Sequence, residues 1–170
     1  MTNIIIKGNA PSKPPAGQSW RSMMDVAIRE AFKARRDDEV PIGAALFDAD
    51  GNLLACGSNN PLTTNDPSGH AEMNCIRAAC RKTGNYRLPP DTILAVTLEP
   101  CIMCLGAIIH ARVGGVIFGA PDPKAGAVVS NMDGTELPFA NHRFWAIGGV
   151  SGQECKEILQ SFFLQKRRKD

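Results

Sequence analysis

Apolar residues along this chain change their period, and the changes mark out its elements. Residues 8 to 18 hold three prolines, two glycines and no periodic apolar pattern, which predicts a flexible leader over 1–18. From Ser19 the pattern becomes helical, because Met24, Ile28, Ala31 and Phe32 recur at spacings of three and four behind a residue suited to an N-cap. Residues 42–47 and 53–57 are apolar runs on either side of Asp48-Ala49-Asp50-Gly51-Asn52, which predicts an antiparallel hairpin. Asp66-Pro67-Ser68 signals a helix start and Gly84 a stop. Residues 92–98 form a β-rich run, Pro100 opens a second helix ending near Gly114-Gly115, and Val116-Ile117-Phe118 and 145–150 read as further strands. Cys155, Ile158, Leu159, Phe162 and Phe163 mark a C-terminal amphipathic helix. Strands alternating with helices predict an α/β chain folded as a three-layer α/β/α sandwich.

Composition narrows this picture without changing it. At 170 residues the default is one compact domain, here 19–170. A domain of that size buries roughly 70% of its unfolded surface, so no metal is needed merely to complete a small core. Six cysteines would suit a disulfide framework in a secreted chain, but the only apolar run near the start is Ile4-Ile5-Ile6, too short for a signal-peptide core. A reducing cytoplasm is the expectation. No apolar stretch approaches the roughly 20 residues of a membrane span. The net charge of +2 excludes a strongly basic nucleic-acid binder, although Lys166-Arg167-Arg168-Lys169 and the group Arg29, Lys33, Arg35 and Arg36 could contact phosphates or simply be solvated.

The chemistry concentrates in a split motif. His70-Ala71-Glu72 is followed by Pro100-Cys101-Ile102-Met103-Cys104, with 28 residues between Glu72 and Cys101. One imidazole and two thiolates give three zinc ligands and leave a fourth tetrahedral position open, which is the pattern of a catalytic site. Glu72, two residues from the histidine, supplies a carboxylate for proton transfer. Cys101 and Cys104, three apart, share a helix face; His70 and Glu72 do not, so the ion must sit beyond a helix N-terminus, between two helix starts at one edge of the sheet. A lone C-x-x-C is often a redox pair or half of a structural zinc site, yet no second C-x-x-C or H-x-x-x-H is present. Cys56, Cys75, Cys80 and Cys155 lie on apolar stretches and read as small core residues. His110 reads as structural, His142 is undecided from spacing alone, and Glu99 reads as a strand-end carboxylate beside the site.

H-x-E followed by P-C-x-x-C resembles the signature of zinc-dependent nucleobase deaminases. Glu39-Val40-Pro41-Ile42-Gly43-Ala44, Asn85-Tyr86-Arg87-Leu88, Val96 to Cys101, Gly106 to Arg112, Asp122 to Ala127, Asn141-His142-Arg143 and Phe162-Phe163 are similar to the tRNA-specific adenosine deaminases, so the resemblance covers residues from about 20 to 168. It implies a cytidine deaminase-like fold with a five-stranded mixed sheet, one zinc ion per subunit held by His70, Cys101 and Cys104, and Glu72 as the catalytic proton carrier. It implies a homodimer, a tRNA anticodon stem-loop as partner, and hydrolysis of adenosine to inosine at the wobble position of an arginine anticodon. It further implies that Asn59 holds the flipped base, that Asp122 and Lys124 lie near the nucleotide backbone and that His142 lies on a loop closing over the anticodon. The sequence departs from the family at Gly69, usually alanine, at Asn60, where many relatives are basic, and at Leu164. Thr64 to Pro67 and Ile76 to Cys80 also resemble guanine deaminases, which keeps a free base or nucleoside as an alternative substrate. A non-catalytic zinc-bearing RNA-binding module is the third reading, and a purely structural site would have no use for Glu72.

Overall fold

A computed structural model describes residues 4–168. Six strands form one sheet in the order β1 (Ile5–Lys7), β6 (Trp145–Gly148), β5 (Gly115–Ala120), β4 (Ile93–Leu98), β2 (Gly43–Phe47) and β3 (Leu53–Ser58). The strands β4, β5 and β6 are parallel, whereas β2 runs antiparallel to both β4 and β3. The sheet is mixed, as expected, with one strand more than the five anticipated.

The extra strand lies inside the segment expected to be a flexible leader. Ile5, Ile6 and Lys7 pair antiparallel with Gly148, Ile147 and Ala146, and Lys7 is tied to Asp133 at 2.8 Å. Three residues are too few to show a period, so the pattern along the chain gives no strand signal there. Farther along, Gln18 donates to the Gly51 carbonyl at 3.1 Å. The expected leader residues 1–3 and the basic Lys169 lie outside the described residues.

Strand β4 explains the layers. Its residues are buried on both faces, with Leu94 and Val96 in one core cluster and Ile93 and Ala95 in the other, as the period of two requires. Helices α3 (Ala71–Thr83) and α4 (Ile102–Ala111) cover the first face through Cys75, Ile76, Leu105 and Ile108. Helices α1 (Trp20–Arg36) and α5 (Gly152–Arg167) cover the second through Met23, Met24, Ile28, Cys155 and Ile158. Ser19 caps α1 in a capping box with Ser22. A short helix, α2 (Pro61–Thr64), joins β3 to α3. Cys75 and Cys155 lie in the core as expected, and Cys56 and Cys80 pack at its margin. No helix among the described residues is long and apolar enough to cross a membrane.

One helix boundary moves, with consequences for the site. Asp66-Pro67-Ser68 does not begin a helix, because the Asp66 carboxylate accepts from both the Ser68 N–H (2.8 Å) and the Ser68 hydroxyl (2.7 Å) and closes a turn of its own. Helix α3 starts at Ala71, with His70 as its N-cap, and ends at Gly84 in the left-handed conformation.

Candidate metal centre

The two ligand segments meet because both helices begin at the same rim of the sheet. His70 is the N-cap of α3 and Cys101 the N-cap of α4; both have extended backbones, and neither side chain caps its helix. N-caps usually spend a side-chain oxygen on the first free N–H groups. Here the imidazole and thiol turn instead toward each other and toward Cys104, one turn into α4. The Nδ1 atom of His70 lies 3.6 Å from each sulfur, and the sulfurs lie 3.8 Å apart. A tetrahedral zinc with Zn–S of about 2.3 Å and Zn–N of about 2.0–2.1 Å has edges of about 3.8 Å and 3.6 Å, so the triad fits that ion. Among the described residues, His70, Cys101 and Cys104 form a group able to hold a metal. Glu72 is not in that group.

Electrostatics favour a cation at this point. A hydrogen bond from the Cys104 thiol, aided by His70, pulls the Cys101 thiol down to about 3 against its own partial burial. The same hydrogen bond, together with burial, pushes the Cys104 thiol far above its ordinary range. A second thiolate here needs a positive charge nearby, and the N-termini of α3 and α4 supply only part of it. The hydrogen bond with Cys101 raises the His70 pKa, with burial opposing.

Glu72 sits in the first turn of α3 with 4% of its surface exposed. Burial pushes its carboxyl up to about 7, and the Cys101 charge adds to the rise, while its own backbone N–H, His70 and Cys104 pull against it. A buried carboxyl beside the ligands, and not one of them, has both the place and the proton affinity of a general acid–base group.

The other expected residues divide between the two rims. Asn59 follows β3 at the metal rim and is 5% exposed. Its N–H donates to the Ile42 carbonyl at 3.0 Å, and its side-chain amide bonds no other described residue, which leaves donor and acceptor free for a base edge. Asp122 and Lys124 follow β5 at the same rim, linked by a Lys124 N–H to Asp122 carboxylate bond of 3.0 Å. His142 is elsewhere. Its Nε2 lies 2.7 Å from the Val113 carbonyl, beside Gly114 and Trp145 at the starts of β5 and β6. The length of β4 separates it from the metal rim of the same chain, about 20 Å for six residues.

Glu99 is more than the exposed strand-end carboxylate it resembles in sequence. It is 2% exposed and accepts from the N–H groups of Asp122 (3.0 Å), Val128 (3.1 Å), Val129 (2.7 Å) and Ser130 (2.9 Å), and from the Ser130 hydroxyl. The loop carrying Asp122 and Lys124 is thus folded around one carboxylate two residues before Cys101, and Ala127 N–H adds a 2.8 Å bond to the Pro100 carbonyl. Burial pushes the Glu99 pKa up, but the Ser130 hydroxyl and the backbone N–H groups outweigh it and hold the carboxylate below its ordinary range. A lowered folded pKa contributes stability that is present above the unfolded value of about 4.3 and lost as pH falls through the folded value. Glu99→Gln should therefore cost about 2–3 kcal/mol at pH 7, and the gap to wild type should shrink below pH 4. Urea midpoints at the two pH values measure it; an equal gap at both would refute the charge-based account. Glu39, last of the acidic residues Asp37-Asp38-Glu39, is fully buried and accepts from the Thr63 N–H at 2.6 Å and hydroxyl at 2.8 Å.

Comparison with known proteins agrees with this geometry. Residues 18–120 match the sequence profile of the cytidine and deoxycytidylate deaminase zinc-binding region. The chain is 44% identical over 147 residues to the tRNA-specific adenosine deaminase of Agrobacterium fabrum, covering 86% of this chain and 95% of that protein. A solved structure from biochemical and structural studies of A-to-I editing by tRNA:A34 deaminases at the wobble position superposes with a TM-score of 0.77 at 43% identity, covering 81% of this chain and 99% of that one. A solved guanine deaminase from Bacillus subtilis is 40% identical but covers 59% of this chain and 63% of its own, with a TM-score of 0.55.

Proposed function

The chain belongs to the cytidine and deoxycytidylate deaminase family, and we propose that within it the protein hydrolyses adenosine to inosine at the wobble position of an arginine tRNA in the cytoplasm, releasing ammonia. The observation that carries the chemistry is the pairing of a tetrahedral His/Cys/Cys triad with a buried carboxyl that is not a ligand. The observations that favour tRNA over free guanine are the similarity to tRNA-specific adenosine deaminases over 86% of the chain and a cleft of about 710 Å³ lined by Lys124, Phe163, Lys166 and Arg167. Cations beside an exposed aromatic ring suit a phosphate backbone with unstacked bases.

His70, Cys101 and Cys104 would hold the zinc, which supplies Lewis acidity and brings the pKa of a water toward about 7. Glu72 takes the proton from the attacking water and delivers it to the ring nitrogen next to C6. As the water oxygen bonds to C6, Glu72 takes the second proton from that oxygen and carries it to the exocyclic amine, so that the C6–N bond breaks, C6 keeps the oxygen as a carbonyl and ammonia leaves. Asn59 fixes the base through its free amide, and an anticodon loop presents that base already single-stranded, which keeps the cost of unstacking low.

Helix α4 supports the homodimer expected from the resemblance. Ile102 is 62% exposed and Phe139 83% exposed, and with Gly106, Ile109 and His110 they line an apolar groove of about 280 Å³. A contiguous apolar surface beside a polar rim suits a second copy of the chain.

The deciding experiment is turnover of an arginine anticodon stem-loop by purified protein with zinc quantified. Inosine should form on the stem-loop, free guanine and cytosine should be untouched, and the same sample should sediment as a dimer. Rapid guanine turnover with an inert stem-loop would sink the tRNA assignment, and a monomer at micromolar concentration would remove the dimer.

A further inference from the structure

Asn60 stands at the N-cap of α2, where asparagine is favoured because its side chain can bond the first N–H groups. It makes no such bond. Its side-chain oxygen instead accepts from the Asn74 amide at 2.8 Å, while the same amide donates to the Ser58 carbonyl at 2.9 Å. The Asn60 backbone N–H donates to the Gly69 carbonyl at 2.9 Å. Asn74 belongs to α3, and its N–H donates to the His70 carbonyl at 3.0 Å. The end of β3, the residue before His70 and the first turn of α3 are therefore joined through the Asn74 amide together with the Asn60 side-chain oxygen and backbone N–H.

Gly69 makes that arrangement possible. Its φ lies outside the left-handed region, so the backbone there would accept alanine. The space would not: an added Cβ would fall 2.8 Å from the Asn60 side-chain oxygen, with its next neighbours at 3.1 Å and 3.2 Å. The atom that would have to move is the Asn60 oxygen that accepts from Asn74. Positions 60 and 69 are thus physically linked. What they flank is the site itself, since Asn59 precedes Asn60 and His70 follows Gly69.

We propose that Asn60 and Gly69 form a coupled positioning pair that sets the distance between the base-binding amide of Asn59 and the metal ligand His70. Asn60 acts through its neighbours and touches neither substrate nor metal. In its effect on substrate, the proposal rests on the tRNA reading above; the coupling between the two positions does not.

A double-mutant cycle of Asn60→Ala, Gly69→Ala and the double variant tests it, using the stem-loop and zinc-loaded dimeric protein. Gly69→Ala alone should raise KM about tenfold, the loss of one oriented contact of about 1.4 kcal/mol. Its kcat should stay within about twofold and zinc should remain at one per chain, because His70 keeps its ligation. Asn60→Ala alone should raise KM about threefold. In the Asn60→Ala background, Gly69→Ala should raise KM by no more than about threefold, since the 2.8 Å collision is gone and only the tight contacts with the Asp66 carbonyl and Pro61 Cα remain. A tenfold rise in KM in both backgrounds, or a loss of zinc and kcat at unchanged KM, would overturn the proposal. Melting midpoints read the coupling without any substrate: Gly69→Ala should lower the midpoint by about 3 °C in wild type and by less than half as much beside Asn60→Ala. Additive midpoints would overturn the coupling, whereas an inert stem-loop with coupled midpoints would overturn only the assignment of substrate.

Discussion

Glu72→Gln is expected to lower kcat on the anticodon stem-loop by about 10³–10⁴, with zinc still bound at one per chain. The substitution keeps the size and shape of the side chain and one of its two oxygens, so the 4% exposed position and the first turn of α3 should be preserved. What it removes is the capacity to accept a proton from water and give it back to the base and then to the amine. A positioned acid–base group contributes about 10²–10⁴ to rate, and one carboxyl serves several transfers here, which puts the loss at the upper end. Steady-state turnover and metal analysis on the same preparation decide it. Retention of more than a tenth of wild-type kcat would assign the proton transfers to another group. Loss of zinc would make Glu72 a ligand and remove the mechanism with it.

Cys104→Ala should lower zinc affinity by more than about 100-fold, beyond the 10–100-fold that neighbours of a ligand typically command, and abolish turnover. Cys104 is fully buried, so water has poor access to replace the lost sulfur. The triad would be reduced to two N-cap side chains, His70 and Cys101. The fold itself should survive, because both core clusters are assembled from strands and helices that do not depend on the ion. Removing zinc from wild type with a chelator should lower the melting midpoint by about 10 °C and leave the far-ultraviolet circular dichroism at 25 °C unchanged. Full zinc occupancy in Cys104→Ala, or collapse of the helical signal on chelation, would contradict this account.

Those residues could be read from sequence because ligand chemistry restricts residue type so severely. A histidine, a C-x-x-C and a carboxylate at fixed spacing have few other uses in one chain, and helix starts and stops carry their own signals at Ser19 and Gly84. Other features depended on atoms far apart in sequence. The start of α3 shifted because the Asp66 carboxylate chose Ser68 over a helix N–H, a competition that composition alone does not decide. Glu99 looks like any strand-end acid until a loop more than 20 residues later folds onto it. His142 resembles a loop residue of the family, yet in this chain it lies at the rim opposite the metal centre. Asn60 and Gly69 were visible as two separate oddities, and only the three-dimensional contact makes them one.

The strand formed by Ile5–Lys7 alters how this molecule meets its neighbours. An open sheet edge exposes unpaired N–H and C=O groups that can recruit strands from other chains, the first step toward aggregation. In β6 that edge is already taken by the chain's own β1, held down by the Lys7–Asp133 pair. At the other end of the sheet, the Lys82 ammonium and the Cys75 thiol occupy the Leu54 and Ala55 carbonyls of β3. The edge passes to β1, and a strand of three residues that ends in a lysine is a poor template, so this segment works as a selvedge that leaves the next molecule little to knit to.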